Sequence, residues 1–521
     1  MGTIDLGPAA LDPPEHEHLS GMRLLIVALA VTIVVMLTML DASIVSTAIP
    51  TITDEFHSLD DIGWYASVYQ LASAALQPLT GKIYTKFNVK WAFLVFFAVF
   101  EIGSAVCGMA NSSMMFIVGR AVAGVGSSGL MNGALTIFSN IVSMERRASL
   151  TGSMMGISQL GVVIGPLVGG AFTSFSTWRW CFYMNLPVGA AVFLALLFVR
   201  IPERFEKKKP IEVLKNITKE LDLVGFALFT PAMMMLLLGL QYGGSRFAWD
   251  SPPIAGLFTG SGVLFAIWLA WDWYCEDEAL IPFSMMSKRV VWSGSLTQWC
   301  NMTGIFSASY FLPLYFQAIK GASPVMSGVY VMASVLSQLV FAGLSGMMVE
   351  KVGYILPFAV FAGILAAVSN GLYSTFSVHT TTAAWIGYQI LNGIGRGTGM
   401  AMPLTAVQTV LNPADLSVAM GILVFFGMLG TAVMVAIANT IFNQSLRVEL
   451  SRHLPDPAEF REVIAAGATG FRKLVSEEDL PLVLEAYAIS ISRVFFLVAG
   501  VGAISVVTAL FLGRTNLRKR V

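Results

Sequence analysis

The sequence predicts an all-α polytopic membrane protein with fourteen transmembrane helices, arranged as two six-helix bundles with two helices inserted between them. Three observations predict it. Of 521 residues, 56% are hydrophobic and 12% charged, with mean hydropathy +0.74, whereas a soluble domain carries about a quarter charged residues. Fourteen largely uncharged windows are each long enough to cross roughly 30 Å of hydrocarbon at 1.5 Å per residue. With the N-terminus cytosolic, 20 of the 31 Lys and Arg fall on the cytosolic side, as the positive-inside rule requires.

The first bundle, 24–201, holds spans 24–45, 62–81, 91–110, 114–139, 150–173 and 182–200. The tail 1–23 is acidic and contains proline, and the apolar run after Arg23 is too long and continuous for the core of a cleaved signal, so it counts as the first helix. Lys82, Lys86 and Lys90 close the second span, and Arg146 and Arg147 precede the fifth. The linker 202–221 lies within RIPERFEKKKPIEVLKNITKELD, the most polar internal cytosolic stretch. Its Ile211, Leu214 and Ile217 share one face of a short interfacial helix. Spans 222–241 and 254–273 are the inserted pair, inside segment 222–290. The second bundle, 291–513, holds spans 294–318, 325–349, 354–376, 384–410, 416–440 and 486–512. An external loop over 443–485 alternates charges with short apolar clusters and predicts small surface helices. Five of the nine bases assigned outside sit in this loop, where the positive-inside rule discounts them. The tail 514–521 carries four more bases, so both termini are cytosolic.

A weak repeat relates the halves. GKIYTKFNVK (Gly81 to Lys90) matches GMMVEKVGYI (Gly346 to Ile355), and GVGSSGLM (Gly124 to Met131) matches GIGRGTGM (Gly393 to Met400). Two bundles of equivalent helices follow from the near-constant offset.

Several functions are excluded or unsupported. Formal net charge is +0, which gives nucleic-acid binding no support. Cys107, Cys181, Cys275 and Cys300 show no CxxC or Cys/His spacing, so no metal site or disulfide framework is indicated and they read as small core residues. No Walker sequence is present, and no cofactor is implied. An intramembrane enzyme such as a prenyl transferase needs clustered carboxylates to hold magnesium, yet the adjacent pair Asp60, Asp61 falls in an external loop. A channel is disfavoured because no span presents a ring of charges or a filter-like loop.

Charges inside spans are functional candidates, because an ionised group in hydrocarbon is costly unless paired or wetted. Four are predicted: Asp41, Glu101, Arg120 and Arg396, the first three sharing the outer half of the first bundle. Asp41 and Arg120 form either a protonation switch or a fixed buried ion pair. Arg396, between Gly395 and Gly397, meets an anionic or carbonyl group of a cargo or bonds backbone carbonyls. Gln159, Gln298, Asn301 and Gln389 are polar at depth, so they line a cavity or bond neighbouring helices. Gly161, Gly165, Gly169 and Gly170 recur at three- and four-residue spacing, allowing close backbone approach, and Pro166 permits a bend. Asn443-Gln-Ser445 is a glycosylation sequon on the outside in this topology.

Seven segments carry a family resemblance running from about Leu24 to Arg520: LDASIVSTAIP (Leu40 to Pro50), GRAVAGVG (Gly119 to Gly126), GVVIGPLVGG (Gly161 to Gly170), WRWCFYMNLP (Trp178 to Pro187), FLPLYFQAIKGASPVMSG (Phe311 to Gly328), YQILNGIGRGTGM (Tyr388 to Met400) and LPLVLEAY (Leu480 to Tyr487). The chain resembles the fourteen-span drug:proton antiporters of the major facilitator superfamily, and among them fungal pumps for toxins and other secondary metabolites. It departs from the usual pattern at Thr85 and Asn88, where the family has Asp and Gly, and at Ala123, where a Gln is usual. The loop change puts the charge clamp after the second helix in question. The resemblance implies the major facilitator fold and proton coupling through Asp41 and Arg120; Glu101, outside any family motif, is a further candidate as a charge inside a span. It also implies gating through Gly161, Gly165, Pro166, Gly169 and Gly170, the antiporter motif.

The expectation is a secondary active transporter, not an enzyme. It exports a small amphipathic molecule (toxin, drug or metabolite) against protons, works as a monomer in the lipid bilayer, and sits in the plasma membrane first and the vacuolar membrane second. A carrier of amino acids or iron chelates is the alternative.

Overall fold

The computed structural model describes residues 19–57, 62–203, 207–244, 247–412, 415–453, 471–473 and 475–513. The tails 1–18 and 514–521, and with them part of the loop drawn over 443–485, lie outside the described residues. Each apolar window folds as helix, since in hydrocarbon every backbone N–H and C=O must be bonded internally.

The first group is α1 (Gly21–Phe56), α2 (Ile62–Lys86), α3 (Val89–Gly108), α4 (Ser113–Ile141), α5 (Met144–Phe175), α6 (Trp180–Tyr183) and α7 (Asn185–Phe198). The linker forms two short turns, α8 (Pro210–Lys215) and α9 (Ile217–Glu220). In it Val213 is buried while Ile211 and Leu214 are exposed, a face suited to lipid headgroups. The inserted hairpin is α10 (Leu223–Tyr242) and α11 (Pro252–Cys275), followed by the short α12 (Phe283–Met286). The second group is α13 (Arg289–Ala318), α14 (Pro324–Val352), α15 (Leu356–Tyr373), α16 (Thr382–Met400), α17 (Met402–Val410), α18 (Leu416–His453) and α19 (Leu480–Leu510). Proline at the start of α17 suits the restart of the helix, where an N–H would have no partner.

Among the described residues, eleven helices are long and apolar enough to cross a membrane. α2, α13 and α16 with α17 fall below that measure because they carry buried polar groups: Gln77 and Thr80, Thr297 and Gln298, and Gln389, Asn392 and Arg396. Those side chains face other helices, so their cost is met inside the protein and not by lipid.

Helices of the first group pack on each other, chiefly α1 on α5 and α4 on α2 and α3; those of the second do likewise, α13 on α18 and α15 on α19. The groups meet along two crossings, α2 on α18 and α14 on α5. Each crossing is centred on a glycine of the repeat: a Cβ at Gly81 would lie 3.1 Å from Val418 Cα, and one at Gly346 would lie 2.4 Å from Ser149 Cα. The inserted α10 touches both α2 and α18, so it straddles the seam.

Two boundaries differ from expectation. α18 runs on to His453, so residues 443–453 are helix where a loop was expected, because Leu446 and Leu450 are buried and hold that end of α18 in the core. α1 likewise continues past residue 45 to Phe56. Its end is tied by Glu55, which accepts bonds from Trp178 Nε1 at 2.6 Å and Arg179 Nη2 at 2.8 Å. Arg179 holds the Glu55 carboxyl below the usual carboxylate range.

Candidate functional site

The apolar first group buries a polar cluster. Asp41 on α1 and Arg120 on α4 are 0% and 1% exposed, and Arg120 Nη1 donates to Asp41 Oδ2 at 2.5 Å. Arg120 Nε donates to the Tyr65 carbonyl at 3.3 Å, and its guanidinium carbon lies 4.4 Å from the Tyr69 ring centre, within cation–π range. The second Asp41 oxygen, Oδ1, accepts from Asn185 Nδ2 at 3.4 Å, and the same amide nitrogen donates to Ser104 Oγ at 3.1 Å. One network therefore joins α1, α2, α3, α4 and α7.

Glu101 lies one turn before Ser104 on α3 and turns its carboxyl onto bare α7 backbone: a Cβ at Gly189 would fall 2.2 Å from Oε1. Both Glu101 oxygens are buried with no hydrogen-bond partner among the described residues. Of the three charges placed together by the sequence, two are in contact and the third stands beside them unbonded.

The glycine stripe of α5 packs on α1 of its own group. A Cβ at Gly161, Gly165 or Gly169 would fall 2.5 Å from the Met36 carbonyl, 2.0 Å from Ser43 Oγ or 2.3 Å from Thr47 Oγ1, all on α1 of the same group. Gly170 faces open space. The stripe therefore seats α5 on α1, with Pro166 inside the helix, while α5 meets α14 of the other group at Gly152, where a Cβ would fall 2.6 Å from the Ala342 carbonyl.

The cavity candidates also separate. Asn301 and Arg396 line a cavity of about 20 Å³ among α13, α15, α16 and α19, room for roughly one water and too small for an organic cargo. Arg396 Nη1 donates to Ser334 Oγ at 3.3 Å, and its Nε has no partner among the described residues. It thus meets a serine hydroxyl and not a backbone carbonyl. Asn301 Nδ2 donates to the Gly399 carbonyl at 3.1 Å. Gln159, Gln298 and Gln389 are buried between helices. Asn443 is exposed but sits within α18, and Ser445 of its sequon is buried, accepting from Arg493 Nη1 at 2.8 Å. The sequon was expected in a loop; the folded helix does not present it as one.

Residues 31–287 and 294–448 match the Major Facilitator Superfamily. The chain belongs to this superfamily. This major facilitator is 50% identical over 96% of its length to the MFS-type transporter pigP of Monascus ruber, 87% of which is covered. It is 44% identical over 96% of its length to the efflux pump mlcE of Penicillium citrinum, 92% of which is covered. The human organic anion transporter MFSD10 has the same fold, with TM-score 0.61 at 12% identity over 94% of this chain and all of that one. As a major facilitator with transporter-named relatives, the chain is a transport protein and not an enzyme.

Where this major facilitator has Thr85 and Asn88, the loop after α2 is held by other means. Lys86 and Lys208 both pair with Glu220, and those ammonium groups, Lys208 foremost, pull its carboxyl down to about 2. Lys207 Nζ donates to the Tyr84 and Phe87 carbonyls at 2.7 and 2.6 Å, and Lys82 donates to the Glu278 carbonyl. The linker thus clasps the loop in place of the usual acid.

Three polar residues were missed by the sequence reading. Asp272, inside the window 254–273, is 1% exposed. Glu449 accepts from Arg493 Nη2 at 2.7 Å across α18 and α19. Asn185 is the sole amide of the window 182–200, and that isolation was the available signal.

Proposed function

We propose that this protein is a proton-driven exporter of a small amphipathic organic molecule, a toxin or other secondary metabolite, crossing the membrane fourteen times with both termini cytosolic. The observation that carries the coupling is the Asp41–Arg120 pair, buried among α1, α4 and the Asn185 amide. A charge pair in an apolar bundle is kept where function needs it. The names of the relatives support export: pigP is a transporter and mlcE an efflux pump. The two crossings of α2 on α18 and α14 on α5 support alternating access, in which one group rocks against the other. The protein acts as a monomer in the plasma membrane, with the vacuolar membrane second.

Proteoliposomes loaded with a fluorescent amphipathic dye such as rhodamine provide the test. A proton gradient directed inward with respect to the export route accelerates dye efflux, and the dye in turn dissipates the gradient. Equal rates with and without the gradient would replace this reading with facilitated diffusion.

A further inference from the structure

We propose that Glu101 is the group that takes up and releases the coupled proton, that Asp41 is the fixed counter-charge of Arg120, and that Asn185 is the positioning residue between them. The assignment rests on the proton-coupled reading above. It follows from how the two carboxyls are bonded. Both Asp41 oxygens are engaged by donors, Arg120 Nη1 at 2.5 Å and Asn185 Nδ2 at 3.4 Å. A proton added to Asp41 would remove the charge that matches Arg120 and leave the guanidinium uncompensated in the bundle. Glu101 has no donor on either oxygen among the described residues, so a proton can join or leave it while every bond of the pair stays in place.

Gly189 matters to this geometry. With no side chain at that position the Glu101 carboxyl lies on the α7 backbone, one turn along α7 from Asn185. Asn185 Nδ2 bonds Ser104, which is one turn along α3 from Glu101. When Glu101 loses its proton, the Asn185 amide, already shared between Asp41 and Ser104, can turn from the neutral serine to the new anion. Deprotonation at Glu101 is thereby felt at Asp41, and through it at the contact of α1 with α4. The charged and titratable groups around this site are Asp41 on α1, Tyr69 on α2, Cys107 on α3, Arg120 on α4 and Cys181 on α6, the last four each within electrostatic reach of Asp41. The base among them, Arg120, is matched by Asp41, which leaves no free counter-charge for Glu101. The step is a single transfer: one proton from outer water bonds a Glu101 oxygen, and the same bond breaks to release it on the cytosolic side.

Infrared difference spectra of the purified full-length protein, taken between acid and alkaline buffer, test this without cargo or gradient. The protein should show a carboxylic-acid carbonyl band that disappears with alkalinity. Glu101→Gln should remove that component, while the double variant Asp41→Asn with Arg120→Gln should keep it. Glu101→Asp retains the band with a shifted midpoint, so the assignment does not depend on the glutamine variant folding. Asn185→Ala also shifts the midpoint, which a merely structural amide would not do. A titrating band unchanged in Glu101→Gln, or lost in the double variant, overturns the proposal. Because no transport is measured, either result leaves gradient-driven dye efflux to stand or fall separately.

Discussion

At the scale of single residues, the Asp41–Arg120 pair decides what burying charge costs the fold. Taking two ions out of water costs several kcal/mol each, and mutual attraction with good geometry offsets this. The 2.5 Å bond, the Asn185 amide and the Tyr69 face supply that geometry. Removing one partner strands the other, at a cost of about 3 to 5 kcal/mol. Asp41→Asn and Arg120→Gln should therefore each lower the yield and melting temperature of the purified protein, and the double variant should regain most of the loss. Arg120→Lys keeps the charge but loses the planar fork that serves Asp41 and the Tyr65 carbonyl at once, so it should fall between. Melting curves of the four variants check the order. If the double variant melts no higher than either single one, the two residues do not act as a buried pair.

At the scale of helices, the repeat makes an asymmetric prediction. Gly81 and Gly346 occupy equivalent places, yet the Gly346 crossing is closer: its Cβ would meet the Ser149 backbone at 2.4 Å, against 3.1 Å from Val418 Cα at Gly81. Backbone on both sides cannot turn aside as a flexible side chain can, so Gly346→Ala should separate α14 from α5. Gly81→Ala needs a shift of only a few tenths of an ångström. The expected outcome is a large fall in melting temperature for Gly346→Ala and a small one for Gly81→Ala; equal effects would mean the crossings are equally tight. Both glycines were legible in the sequence because a motif recurred around them. The partner of the α5 stripe was not legible, since Gly161, Gly165 and Gly169 show only that some backbone comes near. Which backbone depends on the rotation of α5, and Met36, Ser43 and Thr47 of α1 occupy that face. Arg396 was ambiguous for the same reason. Spacing could not say that its helix face turns toward Ser334 and a water-sized cavity. Asp41 with Arg120 was readable because charges are rare in these windows and two of them lay at matching depth.

At the scale of the whole molecule, the number of crossings decides which surface each connection faces. Hydropathy alone admits eleven spans among the described residues, while fourteen require α2, α13 and α16 with α17 to cross as well. Their buried glutamines, asparagines and threonines explain why an average over each helix misses them. The two counts make opposite predictions at chosen sites. Lys208 follows six crossings if α2 spans and five if it does not, and Ser451 follows thirteen crossings or ten. Since each crossing reverses the side, and the basic linker fixes the N-terminal half by the positive-inside rule, fourteen spans put residue 208 in the cytosol and residue 451 outside. Eleven spans with the same N-terminus exchange them. Both side chains are exposed and so accessible to a reagent. α18, with 38 residues, rises about 57 Å at 1.5 Å per residue, well beyond a hydrocarbon core of roughly 30 Å, so its end at Ser451 stands clear of the bilayer. In a variant lacking the four native cysteines, a cysteine at Ser451 should react with an impermeant thiol reagent on intact cells, and one at Lys208 should react only after permeabilisation. The reverse pattern would show that the three polar helices do not cross, and would remove the membrane geometry on which alternating access between the two groups depends.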